Sequence, residues 1–280
     1  LYPNSIIKIL GMDGIGEYFY TKNLKNYDKE IVWFHSKKYL NPTPNDNFHN
    51  VVRWMNSVIP KIKNNVKEHN CSIYVSDPSS IFVGSNPSFY NDKLNYKPNE
   101  FIVPDVWENM TQSIVNARKW SQIKLPSEVT KVTVVQATSI GDAITCYQTY
   151  KDLGYKKIAF SYGAEYYLNH SNHPNKNLAK ALGRIEVVSR MYNMDLIKST
   201  DRVHLLGCQV PQEFSWYKDM PFIETIDTSN PIMATLDGIQ YGRNGLMDKP
   251  KANMNDHFYT TDLDYNLLDW NLRMFRKLLK

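Results

Sequence analysis

The chain has 280 residues, of which 42% are apolar and 22% charged. That balance supplies a core and excludes an intrinsically disordered chain, and the length suits one large α/β domain or two modest ones. No uninterrupted apolar run reaches the ~18 residues of a membrane-spanning helix, and a net charge of +5 permits a polyanionic partner without requiring one.

In chain order, short β-branched and aromatic runs alternate with longer amphipathic ones. Strands are expected at 6–10, 31–35, 72–76, 101–104, 132–136, 157–161, 203–206 and 222–226. Most are continuous apolar runs, the pattern of strands covered on both faces. Helices are expected at 47–69, 108–120, 140–153 (closed by Gly154), 177–193 and 263–279. Residues 78–99 read as a long turn-rich loop. About eight strands in this length suit a (β/α)8 TIM-type barrel, spanning 1–280 as one domain, with a long rim loop and a C-terminal amphipathic helix. A doubly wound sheet is the competing architecture.

Cys71, Cys146 and Cys208 are widely spaced and odd in number, so they outline no disulfide framework and point to a reducing compartment. With no secretory or Arg-rich transit pattern at the start, the expected location is cytoplasmic. Cys146 lies among apolar helix positions and reads as core. Gly11, Gly14 and Gly16 form a turn rather than a dinucleotide fingerprint. His170 and His173 sit in a polar loop without a nearby cysteine, so no metal site and no cofactor is expected.

In a βα barrel, chemistry sits at the carboxyl ends of the strands. Asp77 follows SIYVS, Asp105 follows FIVP, Asp227 follows FIETI, and Gln136 ends VTVVQ. Each aspartate taken singly reads as a cap of the following helix. Together they would converge on one mouth, where paired carboxylates suit glycosidic chemistry: one attacks the anomeric carbon and the other shuttles the proton.

These residues resemble the tRNA-guanine transglycosylase superfamily, and more closely its zinc-lacking, phage-type relatives that place 7-deazaguanines in DNA. The similarity covers about residues 72–245. Its best stretch is HLLGCQVPQEFSWYKDMPFIETIDTSNP (204–231), a strand–Gly–turn–helix unit containing Gly207, then a strand ending in the family's nucleophile, which the resemblance assigns to Asp227. VVQAT puts Gln136, and FIVPD puts Asp105, at base-recognition positions. LGYKKIAFSYG resembles the strand whose end contacts the base, here Ser161, Tyr162 and Gly163. IYVSDPSS stands where the family has Asp-Ser-Gly-Gly, making Asp77 the second catalytic carboxylate, with Ile81 and Leu206 as apolar faces around the base. GRNG (242–245) resembles a motif beyond the nucleophile and offers Arg243, beside Tyr241, to the substrate backbone.

The resemblance implies exchange of guanine for a 7-deazaguanine in a flipped-out nucleotide through an Asp-linked intermediate. The implied partners are nucleic acid, DNA in preference to tRNA, and a free modified purine base. A homodimer or partner subunit is compatible, and a phage-encoded chain would act in the host cytoplasm. Departures are Asp-Pro-Ser-Ser at the Asp77 turn, Tyr162 where glycine is usual, and no Cys after Cys208 to build the family's zinc site. The alternatives are a related N-glycosidase or nucleoside-processing barrel, and an altered barrel that binds nucleic acid or a host protein.

Overall fold

The computed structural model describes residues 6–10 and 72–78 as backbone, and residues 99–208, 210–245, 250–252 and 263–278 in full. The expected elements at 31–35 and 47–69, Gly11, Gly14, Gly16, Cys71, Ile81 and most of the 78–99 loop lie outside the described residues. The chain divides into two compact units, the second comprising Asp105–Arg118 and Thr133–Lys280.

In the first unit, β1 (Ile6–Leu10), β2 (Ser72–Pro78), β3 (Glu100–Ile102) and the start of β4 (Thr130–Val135) lie side by side in chain order. Each pairs in parallel with the next. Phe101 packs on Trp120 with ring centroids 4.7 Å apart. Trp120 lies in the last turn of α1 (Met110–Ser121). The Lys131 ammonium donates to the carbonyls of Trp120 (2.7 Å) and Ile123 (2.5 Å), and burial lowers its pKa.

In the second unit, the end of β4, then β5 (Lys157–Phe160), β6 (Arg202–Leu205) and β7 (Ile223–Ile226) again follow chain order, with β5–β6 and β6–β7 parallel. Helices α2 (Ile140–Asp152) and α3 (Lys176–Asn193) separate these strands. The β5 run KIAF is buried throughout, as a strand covered on both faces must be. Ser139 caps α2 by accepting the Asp142 amide, and Asn175 caps α3 by accepting those of Asn177 and Leu178. The expected helix at 263–279 is α5 (Tyr265–Leu278), preceded by the short α4 (Asn230–Leu236).

The helix that the resemblance implies after Gly207 is a 3-10 segment, Pro211–Tyr217, and a second 3-10 segment, Glu165–His170, has no counterpart among the expected elements. Each follows a strand and carries buried aromatics, so tertiary packing rather than periodicity shapes them. The tyrosines are largely core residues. Tyr147, Tyr150, Tyr155, Tyr166, Tyr167 and Tyr217 are buried in the second unit. Tyr241, expected beside Arg243 at the substrate backbone, is instead buried: it packs with Ala234 and Met274, and its hydroxyl donates to Asn230. A buried phenol usually finds an acceptor, and the hydroxyls of Tyr147, Tyr150, Tyr155, Tyr167 and Tyr217 each reach a carbonyl or carboxylate while their rings fill core space. Examples are Tyr150 to Val134 O (3.1 Å) and Tyr155 to Ala117 O (2.7 Å). Cys146 is buried in α2 as expected. Among the described residues, no helix is long and apolar enough to cross a membrane.

Candidate active site at the strand ends

The second unit gathers polar side chains just beyond its strands. Gln136 follows β4 and is 3% exposed. Its amide nitrogen donates to Asp105 Oδ2 at 2.5 Å, and its carbonyl oxygen accepts the Glu108 amide at 3.1 Å. Glu108 has φ +50°, a region non-glycine residues seldom adopt and one often held at functional sites. Its carboxylate accepts the Glu165 amide at 3.1 Å. Lys180 then joins Glu165 Oε1 to the Gly163 carbonyl, at 2.6 Å each. That ammonium holds the Glu165 carboxyl below the usual carboxylate range. Trp107, 56% exposed, brings its indole Cη2 to 3.8 Å from where a side chain on Gly163 would begin.

Beyond β5, Ser161 is buried, its hydroxyl 3.4 Å from Val135 O and its carbonyl accepting from Tyr167 at 3.1 Å. Tyr162 follows, its hydroxyl buried with no hydrogen-bond partner among the described residues. Burial pushes that phenol above its ordinary range. The guanidinium of Arg184 lies 5.1 Å from its ring centroid.

Arg184 organises the end of β6. It is wholly buried on α3, paired with the equally buried Glu213 through Nε (3.0 Å) and NH2 (2.7 Å). It also donates to the carbonyls of Leu206 (2.8 Å) and Gly207 (2.7 Å) and to Cys208 Sγ (3.0 Å). Tyr217 donates to the same oxygen, Glu213 Oε1, at 2.8 Å. Gly207 has φ +61°, a conformation that favours glycine, and a Cβ there would sit tightly against Tyr162 Cβ at 3.3 Å. The Leu206 carbonyl shares one peptide plane with the Gly207 amide, so the hold of Arg184 on that carbonyl orients the amide, which donates to Asp227 Oδ1 at 2.8 Å.

Asp227 lies just past β7, its side chain 27% exposed. Besides the Gly207 amide, Oδ1 has His204 Nε2 at 3.2 Å, while His204 Nδ1 lies 2.7 Å from Thr225 Oγ1 and 3.1 Å from Thr225 O. Thr228 steadies the turn by donating to Cys208 O at 2.6 Å. Cys208 is buried, which pushes its thiol up, against a role as nucleophile.

Of the residues expected from sequence, Asp105 and Gln136 are bonded together, as are Gly207 and Asp227. Ser161, Tyr162 and Gly163 follow β5, with Tyr162 against Gly207. Leu206 is half-buried and contributes its backbone. Arg243 is exposed in the turn bridged by Gly242 and Gly245. Asp77 belongs to the first unit, where its backbone stands opposite Phe101. His204, Arg184, Glu213, Glu108 and Trp107 were not anticipated. Arg184 had a signal: it falls between Ala181 and Val188 on the apolar face of α3, where a charge requires a buried partner. No group of side chains suited to a metal ion occurs among the described residues. No family model matches the chain, and no curated protein matches it.

Proposed function

We propose that the protein is a guanine transglycosylase-like enzyme that exchanges guanine for a 7-deazaguanine in DNA, on a (β/α)8 barrel. Strand order supports the barrel: within each unit the described strands follow chain order, and none of them shows the reversal that marks a doubly wound sheet. The observation that carries the function is Asp227: a partly exposed carboxylate at a parallel strand end, with one oxygen held by a backbone amide.

A fixed carboxylate with an outward oxygen suits attack on a sugar C1′. The Asp227 oxygen bonds to C1′ as the C1′–N9 bond breaks, and the electron pair leaves with guanine, which takes a proton at N9. In the second displacement the incoming base loses its N9 proton to a carboxylate, the role given to Asp77, and displaces Asp227 with net retention. The Asp105–Gln136 pair is suited to the edge of a purine, and the exposed indole of Trp107 to stacking. Arg243 would contact phosphate.

The test is incorporation of radiolabelled guanine or a 7-deazaguanine into DNA, with tRNA in parallel. Asp227→Ala abolishes it, and full activity in that variant overturns the mechanism. Base release without incorporation would instead identify an N-glycosidase, in which water replaces the incoming base.

A further inference from the structure

We infer that His204 is a positioning residue for Asp227, presenting a proton on Nε2 to the carboxylate and leaving its second oxygen for attack. This rests on the proposed role of Asp227.

The arrangement follows from strand register. His204 of β6 stands opposite Thr225 of β7, and Asp227 lies two residues beyond Thr225, on the same face of the strand line. The imidazole is 2% exposed, so its orientation is set by its neighbours. Nδ1 faces two oxygens of Thr225, the hydroxyl at 2.7 Å and the carbonyl at 3.1 Å. The carbonyl only accepts, but the hydroxyl can donate, and it is the nearer. With Thr225 Oγ1 donating to Nδ1, the neutral ring carries its proton on Nε2. Nε2 is buried, has no aligned hydrogen-bond partner among the described residues, and lies 3.2 Å from Asp227 Oδ1. The opposite tautomer would set a bare lone pair against a carboxylate oxygen.

A proton at Nε2 and the Gly207 amide therefore bracket Oδ1. The Gly207 amide hydrogen-bonds the carboxylate, and the Nε2 proton, 3.2 Å from Oδ1 though not aligned with it, adds a favourable dipole before attack and again when Asp227 departs from C1′ in the second displacement. The proton stays on His204 throughout, so no general-acid step is assigned to it.

Two measurements on the full chain test this. The first is the nitrogen spectrum of the imidazoles in uniformly 15N-labelled protein, with the His204 signals assigned by their loss in His204→Gln. The expected result is a proton on Nε2; a ring protonated on Nδ1 alone overturns the inference. Thr225→Val removes the hydroxyl donor with little change in shape, and is expected to move the neutral ring to the Nδ1–H form; an unchanged Nε2–H tautomer overturns it. The second is base exchange. His204→Leu is expected to lower kcat about 100-fold, the effect of removing one preorganised donor, with KM for the free base unchanged. His204→Gln, which keeps an N–H, recovers part of the loss. Full kcat in the Leu variant, or no advantage of Gln over Leu, overturns the inference. If the parent exchanges no base, the proposed function fails, and the nitrogen spectrum still decides where the His204 proton lies.

Discussion

Replacing Arg184 by Met tests whether the end of β6 is built from within. Met keeps an apolar unbranched stem but ends two heavy atoms short of the terminal guanidinium nitrogens, so the substitution removes the charge, the donors and some volume. Glu213 then remains wholly buried without its cation, and breaking a buried pair in this way costs about 3–5 kcal/mol. The carbonyls of Leu206 and Gly207 lose their donors as well, at roughly 1–3 kcal/mol for each group left unpaired. These losses overlap, because an entering water relieves part of them. A net loss of about 4 kcal/mol is a conservative expectation, and it is a large share of the ~5–15 kcal/mol that stabilises a typical domain. At ~2–4 °C per kcal/mol, the thermal midpoint falls by roughly 10 °C. Urea unfolding followed by circular dichroism measures it. The double variant Arg184→Met, Glu213→Leu removes both charges and should regain part of the loss, though not all, because the carbonyls stay unpaired. A single variant within about 1 kcal/mol of the parent, below any cost of breaking a buried pair, or a double variant no better than the single, refutes the reasoning.

Gly183→Ala places a Cβ 2.0 Å from Tyr167 O, a backbone atom that yields little. The variant should lose more than the ~1 kcal/mol that alanine adds to helix propensity, and a thermal midpoint at or above the parent's contradicts the close approach. Burial alone would raise the Asp201 pKa, but hydrogen bonds from Lys151, the Lys198 amide and Tyr147 outweigh it and hold the pKa low. A depressed carboxyl stabilises the fold above its unfolded pKa of about 4 and loses that contribution as pH falls through the folded value. Asp201→Asn should therefore be less stable than the parent at pH 7, with the gap closing below about pH 4 in chemical denaturation; a constant gap contradicts this. Cys146 and Cys208 are buried with thiols pushed up, so peptide mass spectrometry should find them unalkylated by iodoacetamide until urea is added.

Much of the described fold was legible because apolar runs and helical periods report burial directly. The strand expected at 157–161 is β5, and the helix expected at 177–193 is α3. The placement of the tyrosines was not legible, because a phenol suits a wet cleft and a satisfied core equally well. Only the position of an acceptor decides between them, and that acceptor comes from a distant part of the chain, as with Tyr155 and Ala117 O. Strand-end carboxylates could be picked out because each terminates an apolar run. Their partners could not: the Arg184–Glu213 pair depends on α3 and a 3-10 segment meeting, and no local pattern encodes that. The Glu108 contacts depend likewise on an unusual backbone angle.

The most consequential feature that the sequence conceals is one residue of register. Between β6 and β7 the pairing runs Val203 with Ile223 and then His204 with Thr225, so Glu224 is passed over. Glu224 turns outward and pairs with Lys157 at 2.9 Å and Arg202 at 3.0 Å. In uninterrupted pairing His204 would stand opposite Glu224, and the residue two further along would be Ile226 rather than Asp227. Because side chains alternate along a strand, that slip would send the aspartate to the opposite face from the histidine. The irregularity thus places Thr225, His204 and Asp227 on one face, and it does so at a strand end, where such irregularities often re-aim a functional side chain. FIETID read alone supplies a capping aspartate; read with the skipped residue, it supplies a carboxylate with a buried histidine behind it.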